Sequence, residues 1–251
     1  MNLSRIKLIC GTYKMDKNSL LFCKELGYNS FDTATGYNNA RILREVIKPS
    51  DLIITKFNPG DFDNIEMVAQ QHVVDLGKLP DIVLIHSPLN TSDLNISAFK
   101  SLKSIFPKQL IGISNFSIKD TENLLENGCQ PDIMSCEFHP FYQPNKLLSY
   151  CQSKDITVLG YRCLAKGEIN SNQQIINLAK KYDATPSQIV LKWISTKNII
   201  PIASSSKYLN LKENLSYEKV ELNNEDINLL DSLNREEGGS SCMLRYCQHD
   251  K

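Results

Sequence analysis

The sequence predicts an α/β protein built as a (β/α)8 TIM barrel with extra C-terminal helices and a tail, and three observations carry that expectation. Eight short apolar runs, often β-branched, alternate with longer amphipathic segments along the chain. The length of 251 residues is close to what one such barrel occupies. The first run ends in Gly11-Thr12-Tyr13-Lys14, without the glycine-rich turn that follows the first strand of an open, doubly wound dinucleotide-binding sheet. Residues 1–251 are therefore read as a single barrel domain, with a polar tail at 238–251 expected to be mobile.

The expected strands are Lys7–Thr12, Ser30–Thr33, Leu52–Lys56, Asp81–His86, Leu110–Ser114, Ile133–Glu137, Thr157–Tyr161 and Ile199–Ala203. Between them lie helical signals. Asp16 is placed to cap a first helix through Leu20, Cys23 and Leu26 that stops at Gly27. Asn39–Ile47 gathers Ile42, Leu43, Val46 and Ile47 on one face, and Ile65–Leu76 spaces Ile65, Val68, Ala69, Val73 and Leu76 as one stripe. Ser117–Glu126 opens on a capping serine with acidic residues behind it. Asn145–Gln152 and Gln173–Lys181 follow the same pattern, and Thr185-Pro186 opens Ser187–Ser195 with proline at the first helical position. Leu209–Leu215 and Glu225–Leu233 follow the eighth run as the extra helices.

Composition narrows the function. Lys and Arg together number 28, as do Asp and Glu, so the basic footprint of a nucleic-acid binder is missing. No apolar stretch approaches the roughly 18 residues of a membrane helix, and the start of the chain does not read as a signal peptide. The eight cysteines lie mostly inside apolar runs, with no CxxC pair, and read as reduced, buried thiols of a cytoplasmic protein. Cys242 and Cys247 in the tail are the two least tied to a core. The four histidines, His72, His86, His139 and His249, show no metal-ligand spacing, so no metal is expected at the mouth.

A barrel of this kind carries its chemistry at the C-terminal ends of its strands. There the sequence places Asp32 after strand two with Tyr37 just beyond, Lys56 after strand three and His86 after strand four. Singly, each has an ordinary reading: a turn cap, a packing residue, a solvated lysine, a hydrogen-bonded histidine. Together at one mouth they form a proton-donor assembly. A buried Lys beside Tyr37 is expected to favour the phenolate and lower its pKa, Asp32 to keep that Lys charged, and His86 to orient a carbonyl oxygen.

With these residues in view, the sequence resembles the aldo-keto reductases over nearly its whole length, from Gly11-Thr12 to about Asn234. The most specific stretch is GYNSFDTATGY (Gly27–Tyr37), followed by IGISNF (Ile111–Phe116), and ITK, LIHSP, EFHPF, LLSYC, TPSQIVLKW and ENL fall in the family's order. The resemblance implies Tyr37 as general acid, Lys56 and Asp32 as its tuning pair and His86 as the orienting residue, with His86, Phe57 and Phe116 at the substrate. It implies a nicotinamide dinucleotide laid across the mouth against Gly11, Thr12, Tyr13, Asp32, Ser114, Asn115, Ser135, Tyr161, Arg162 and Leu164. The far end of that cofactor would meet Ser204, Ser205, Ser206, Lys207, Asn210, Glu213 and Asn214. The expected cofactor is NADP(H), with NAD(H) as the alternative, and the expected partner is a small carbonyl substrate, with no membrane or nucleic acid and the chain a monomer.

The sequence also departs from the family. Ser135 stands where relatives often carry Gln, so its contact with the carboxamide is lost or bridged by water. Arg162-Cys163-Leu164 replaces the usual Ser-Pro-Leu, and Arg162 reads equally as a solvated side chain or as a partner for the pyrophosphate. Ser204 and Asn210 replace the Lys and Arg that clamp a 2′-phosphate in NADPH-preferring relatives, leaving Lys207 as a substitute charge. Ser87 replaces a Trp after His86, so an open pocket is expected, with Tyr13, Phe57, Phe116, Tyr142 and the tail as candidate walls; the single Trp, Trp193, is expected in the core. The alternative function is a non-catalytic, nicotinamide-binding regulatory subunit.

Overall fold

In a computed structural model that describes Leu3 and residues 6–235, each expected strand occurs and the eighth closes on the first. The strands are β1 (Ile9–Gly11), β2 (Ser30–Asp32), β3 (Leu52–Phe57), β4 (Ile82–Ile85), β5 (Leu110–Ser114), β6 (Ile133–Glu137), β7 (Thr157–Tyr161) and β8 (Ile199–Ala203). All pair in parallel with their sequence neighbours, and Ile9 opposite Ile202 sets the closing register. The expected runs at the first, second and fourth strands are trimmed at their ends, where loops take over the backbone hydrogen bonds, as when Thr12 N–H donates to the Asp32 carbonyl at 2.9 Å.

The helices are α1 (Lys17–Leu26), α2 (Ala40–Arg44), α3 (Ile65–Leu76), α4 (Ser92–Ile105), α5 (Ile118–Glu126), α6 (Asn145–Ser153), α7 (Gln173–Lys181), α8 (Pro186–Thr196), α9 (Tyr208–Leu215) and α10 (Asn224–Asp231). Caps set many of the boundaries. Asp16 accepts the Ser19 N–H to start α1, and Gly27 ends it at φ 95°, a left-handed conformation that only glycine adopts cheaply. Ser117 and Thr185 each make a reciprocal capping box, for α5 and α8. Two expectations change. The helix expected over Asn39–Ile47 shrinks to the five residues of α2, because its remaining apolar side chains pack from turns. The longest described helix, α4, was not singled out from the sequence; its signals are Thr91, which caps it, and Asp93 in its first turn.

Side chains alternate between two cores, as the pleat of a barrel strand requires. Ile9, Ile54, Ile82, Leu84, Ile133, Leu159 and Ile202 fill the barrel interior. Their neighbours Cys10, Ile53, Val83, Ile85, Met134 and Val158 face outward into a larger layer under the helices. Trp193 lies fully buried in that outer layer, stacked on Phe138 and donating to Asp231 at 2.8 Å. Gly112 is held to glycine by space: a β-carbon there would sit 2.4 Å from the Ile133 carbonyl and 2.7 Å from Leu84. Six cysteines, Cys10, Cys23, Cys129, Cys136, Cys151 and Cys163, are buried free thiols; Cys242, Cys247, His249 and the tail at 238–251 lie outside the described residues. No described helix is long and apolar enough to cross a membrane.

Candidate active site

The C-terminal ends of β2 and β3 bring an ion pair into the interior. Asp32 and Lys56 are 4% and 3% exposed, and the ammonium lies 2.5 and 2.6 Å from the two carboxylate oxygens and 3.2 Å from the Thr33 carbonyl. Burial raises the Asp32 carboxyl, and the Lys56 charge offsets part of that rise. Burial works against the Lys56 ammonium too, but the Asp32 carboxylate, through its charge and hydrogen bonds, and the neighbouring Tyr37 oxygen outweigh it and hold Lys56 above its ordinary value, so it stays charged.

Tyr37 ends a short 3-10 turn, Thr35–Tyr37, that crosses the mouth above this pair. The Lys56 Nζ lies 5.2 Å from the Tyr37 ring centroid. Tyr13 and His86 flank the same ring, with centroids 5.0 and 5.9 Å away. The four ionisable groups picked from the sequence are therefore neighbours. One electrostatic expectation is corrected: the Tyr37 hydroxyl is raised, not lowered, because burial outweighs the pull of Lys56, and Asp32 adds to the rise. Tyr37 is thus held in its protonated form. His86 is pushed the other way, down to about 3, by burial and then by the Lys56 charge, so its ring is neutral at physiological pH.

The next strands add a polar floor. Ser114 and Asn115 are buried at the end of β5, with Asn115 in a left-handed conformation at φ 64°. The Asn115 amide donates to the His86 carbonyl at 2.9 Å and to Ser114 at 3.1 Å, and accepts the Tyr161 hydroxyl at 2.5 Å. Arg162 is neither a freely solvated side chain nor an isolated cation. It lies 3.7 Å from the buried carboxylate of Glu137 and 6.0 Å from the Tyr161 ring centroid. Leu164 is half-buried in the same turn. Glu137 also holds His139 at 3.2 Å, so His139 is occupied structurally. Among the described residues no group of three or more His, Cys, Asp or Glu side chains is arranged to hold a metal.

On the β8 side, Ser204, Ser206, Lys207 and Asn210 are exposed around the start of α9, with Ser205 and Glu213 half-buried. Ser205 accepts the Lys207 N–H at 3.1 Å. Asn214 is 1% exposed, yet neither polar atom of its side chain has a hydrogen-bond partner, and the same holds for the Ser135 hydroxyl at 0% exposure. Buried polar atoms left unpaired are costly. Orphans at two positions expected to contact the cofactor fit an elongated polar ligand that pairs with them. On β1, Gly11 leads into Thr12, which is committed to the frame: its hydroxyl donates to the Asp32 carbonyl and accepts from Asn39.

Two substrate-wall expectations are corrected. Phe57 and Phe116 are fully buried in the layer between barrel and helices, Phe57 against His72 and Phe106, so neither lines the mouth. Alternation is the reason at β3: Lys56 points inward, so Phe57, next to it, points out. Tyr142 is also buried, whereas Tyr13 is 57% exposed beside the Tyr37 ring. The sequence reading missed Asn39, which ties Thr12 to Thr33, and the trio Thr35, Asn58 and Asp61 that reaches His86. An Asn-Pro with an acid three residues after the Asn was the available signal, since it makes the capping box of the turn Pro59–Asn64.

Comparison with known proteins agrees with this geometry. The family model described as "Aldo/keto reductase family" matches residues 20–235. The chain is 32% identical over 226 residues to a fission-yeast protein named NAD/NADP-dependent indole-3-acetaldehyde reductase, covering 82% of this chain and 80% of that one. It is 28% identical to the glyoxal reductase of Bacillus subtilis, covering 84% of this chain and 80% of that one. The crystal structure of an aldo-keto reductase from a Medee basin deep-sea metagenome superposes with a TM-score of 0.88 at 25% identity, covering 97% of this chain and 95% of that one. From the match of the family model together with the 32% identical relative, the chain belongs to the aldo/keto reductase family, whose members are oxidoreductases that use nicotinamide cofactors.

Proposed function

We propose that this chain reduces small aldehydes or ketones to alcohols, with Tyr37 as general acid. The observation that carries the reading is the buried Asp32–Lys56 pair set beneath the ring of a protonated Tyr37. A nicotinamide cofactor bound across the mouth would supply the hydride. Ser114, Asn115 and Ser135 would hold its carboxamide, and Tyr161 would stack on its ring. Arg162, Leu164 and the loop Gly11-Thr12-Tyr13 would border its middle. Ser204, Ser205, Ser206, Lys207, Asn210, Glu213 and Asn214 would hold its far end.

The carbonyl oxygen sits against the Tyr37 hydroxyl and takes its proton as charge builds on that oxygen. The phenolate left behind is stabilised by the Lys56 ammonium, which Asp32 keeps charged although both side chains are buried. NADP(H) is the proposed cofactor and NAD(H) an accepted alternative, because Ser204 and Asn210 offer no cation to a 2′-phosphate.

The test is consumption of NADPH and NADH by purified protein with a panel of reactive aldehydes, beside Tyr37→Phe. The variant is expected to lose turnover by about 10²–10⁴-fold and to keep its affinity for the cofactor in a calorimetric titration. Cofactor binding without turnover by the wild-type protein would overturn the reading and leave a nicotinamide-binding regulatory protein.

A further inference from the structure

Tyr37 rides on very little backbone. Its 3-10 segment, Thr35–Tyr37, is a single turn between extended Ala34 and left-handed Asn38, whose φ is 54°. The turn closes on two backbone bonds, from Tyr37 N–H to the Ala34 carbonyl at 3.0 Å and from Asn38 N–H to the Thr35 carbonyl at 3.4 Å. A lone turn fixes several dihedrals for very few hydrogen bonds, so it does not hold its shape by itself.

A side chain supplies the anchor. The Thr35 hydroxyl donates to the Asp61 carboxylate at 2.5 Å. It also lies 3.4 Å from the Lys56 carbonyl, but its single proton goes to the nearer, charged acceptor. Asp61 is itself fixed, because the same oxygen accepts the Asn58 backbone N–H at 2.7 Å and the Asp61 N–H returns to the Asn58 carbonyl at 2.9 Å. The loop that holds Asp61 leaves β3 at Phe57, directly after Lys56. One hydrogen bond therefore joins the segment that carries Tyr37 to the segment that carries Lys56. The two segments are in close contact there: a β-carbon at Gly36 would come within 2.9 Å of the Asn58 Nδ2.

We propose that Thr35 and Asp61 are positioning residues for proton donation: their hydrogen bond seats the Tyr37 turn on the loop after β3 and holds the Tyr37 hydroxyl in register with the Lys56 ammonium. The effect on turnover rests on the reductase reading above; the seating of the ring does not. Asn58 contacts both Thr35 and His86, at 2.9 Å each, so replacing it would disturb two groups at once. Thr35→Val keeps the shape of the side chain and removes only the hydroxyl, Asp61→Ala removes the acceptor, and Thr35→Ser keeps the hydroxyl.

Full-length protein carrying 3-fluorotyrosine reads the ring directly, with the Tyr37 ¹⁹F signal assigned by its loss in Tyr37→Phe. Thr35→Val and, independently, Asp61→Ala are expected to move that signal, and Thr35→Ser to leave it in place. With NADPH and a reactive aldehyde, the first two are expected to lower kcat by about 10–100-fold, the effect of a small misplacement of the reacting group. Their calorimetric affinity for NADPH is expected to stay unchanged, and Thr35→Ser to turn over as the wild type does. Added to Tyr37→Phe, Thr35→Val is expected to cost nothing further, because the group it seats is gone. A Tyr37 signal unmoved in both Thr35→Val and Asp61→Ala overturns the proposal. So does a kcat that holds while the ring moves, or a full further loss in the Tyr37→Phe background. A wild-type protein without turnover would sink the reductase reading, and the ¹⁹F signal would still decide the seating.

Discussion

Replacing Lys56 with Met keeps a side chain of similar length and takes the ammonium away from both oxygens of Asp32, which stand 2.5 and 2.6 Å from it. Asp32 is 4% exposed, so water cannot stand in for the lost partner. The folded variant must either carry an unpaired buried charge or take up a proton. Protonating an ordinary carboxyl of pKa about 3.9 at pH 7 costs about 4 kcal/mol, which caps the penalty. Breaking a buried pair from one side usually costs about 3–5 kcal/mol. The expected loss at pH 7 is therefore about 3–4 kcal/mol.

The sign of the pH dependence follows from the same cycle. In the variant the folded carboxyl has the raised pKa and holds a proton that the unfolded chain has released. Stability then falls by about 1.4 kcal/mol for each pH unit of rise above about 4, so the gap to wild type narrows to about 1.5 kcal/mol at pH 5. Urea unfolding at the two pH values, followed by the fluorescence of the buried Trp193, measures it. Adding Asp32→Asn to Lys56→Met removes the stranded charge and should restore most of the loss. A gap under about 1 kcal/mol at pH 7, or one equal at both pH values, would refute the reasoning that the pair is buried and mutually dependent.

Other expectations concern acid and the cofactor. His86 is held down to about 3 and His72 is also lowered by burial, so both are neutral in the fold. Their contribution is complete above the unfolded value near 6.5 and is lost as pH falls below it, by up to about 1.4 kcal/mol per unit for His86 alone. Urea midpoints between pH 7 and 4 should show that loss, and His86→Gln should flatten it; an equal slope in the variant would contradict the placement of His86. Ser204 and Asn210 are both exposed near the start of α9, and Ser204→Lys with Asn210→Arg should shift the kcat/KM ratio toward NADPH by about tenfold. A ratio that does not move would mean that the 2′-phosphate lies elsewhere.

The architecture and the four ionisable side chains at the mouth were legible in the chain because both follow from local pattern. Short, β-branched apolar runs such as Ile53-Ile54 and Ile82-Val83-Leu84 identify buried parallel strands, and counting strand ends brings Asp32, Tyr37, Lys56 and His86 to one mouth. Helix limits were readable where a cap marks them, as at Asp16, Ser117 and Thr185, and α2 was overdrawn because apolar spacing continues into turns that pack equally well. The tertiary structure alone decided what surrounds each of those side chains. It turned Phe57 and Phe116 away from the mouth, paired Arg162 with Glu137, and raised Tyr37 by burial beyond what Lys56 offsets. It also joined Asn58 to His86 across 28 positions of sequence. A continuous apolar run reports that a strand is buried, not which of its side chains faces the barrel interior. Desolvation and the direction of a hydrogen bond depend on groups brought close only when the barrel closes, and these set the protonation states of Tyr37 and His86.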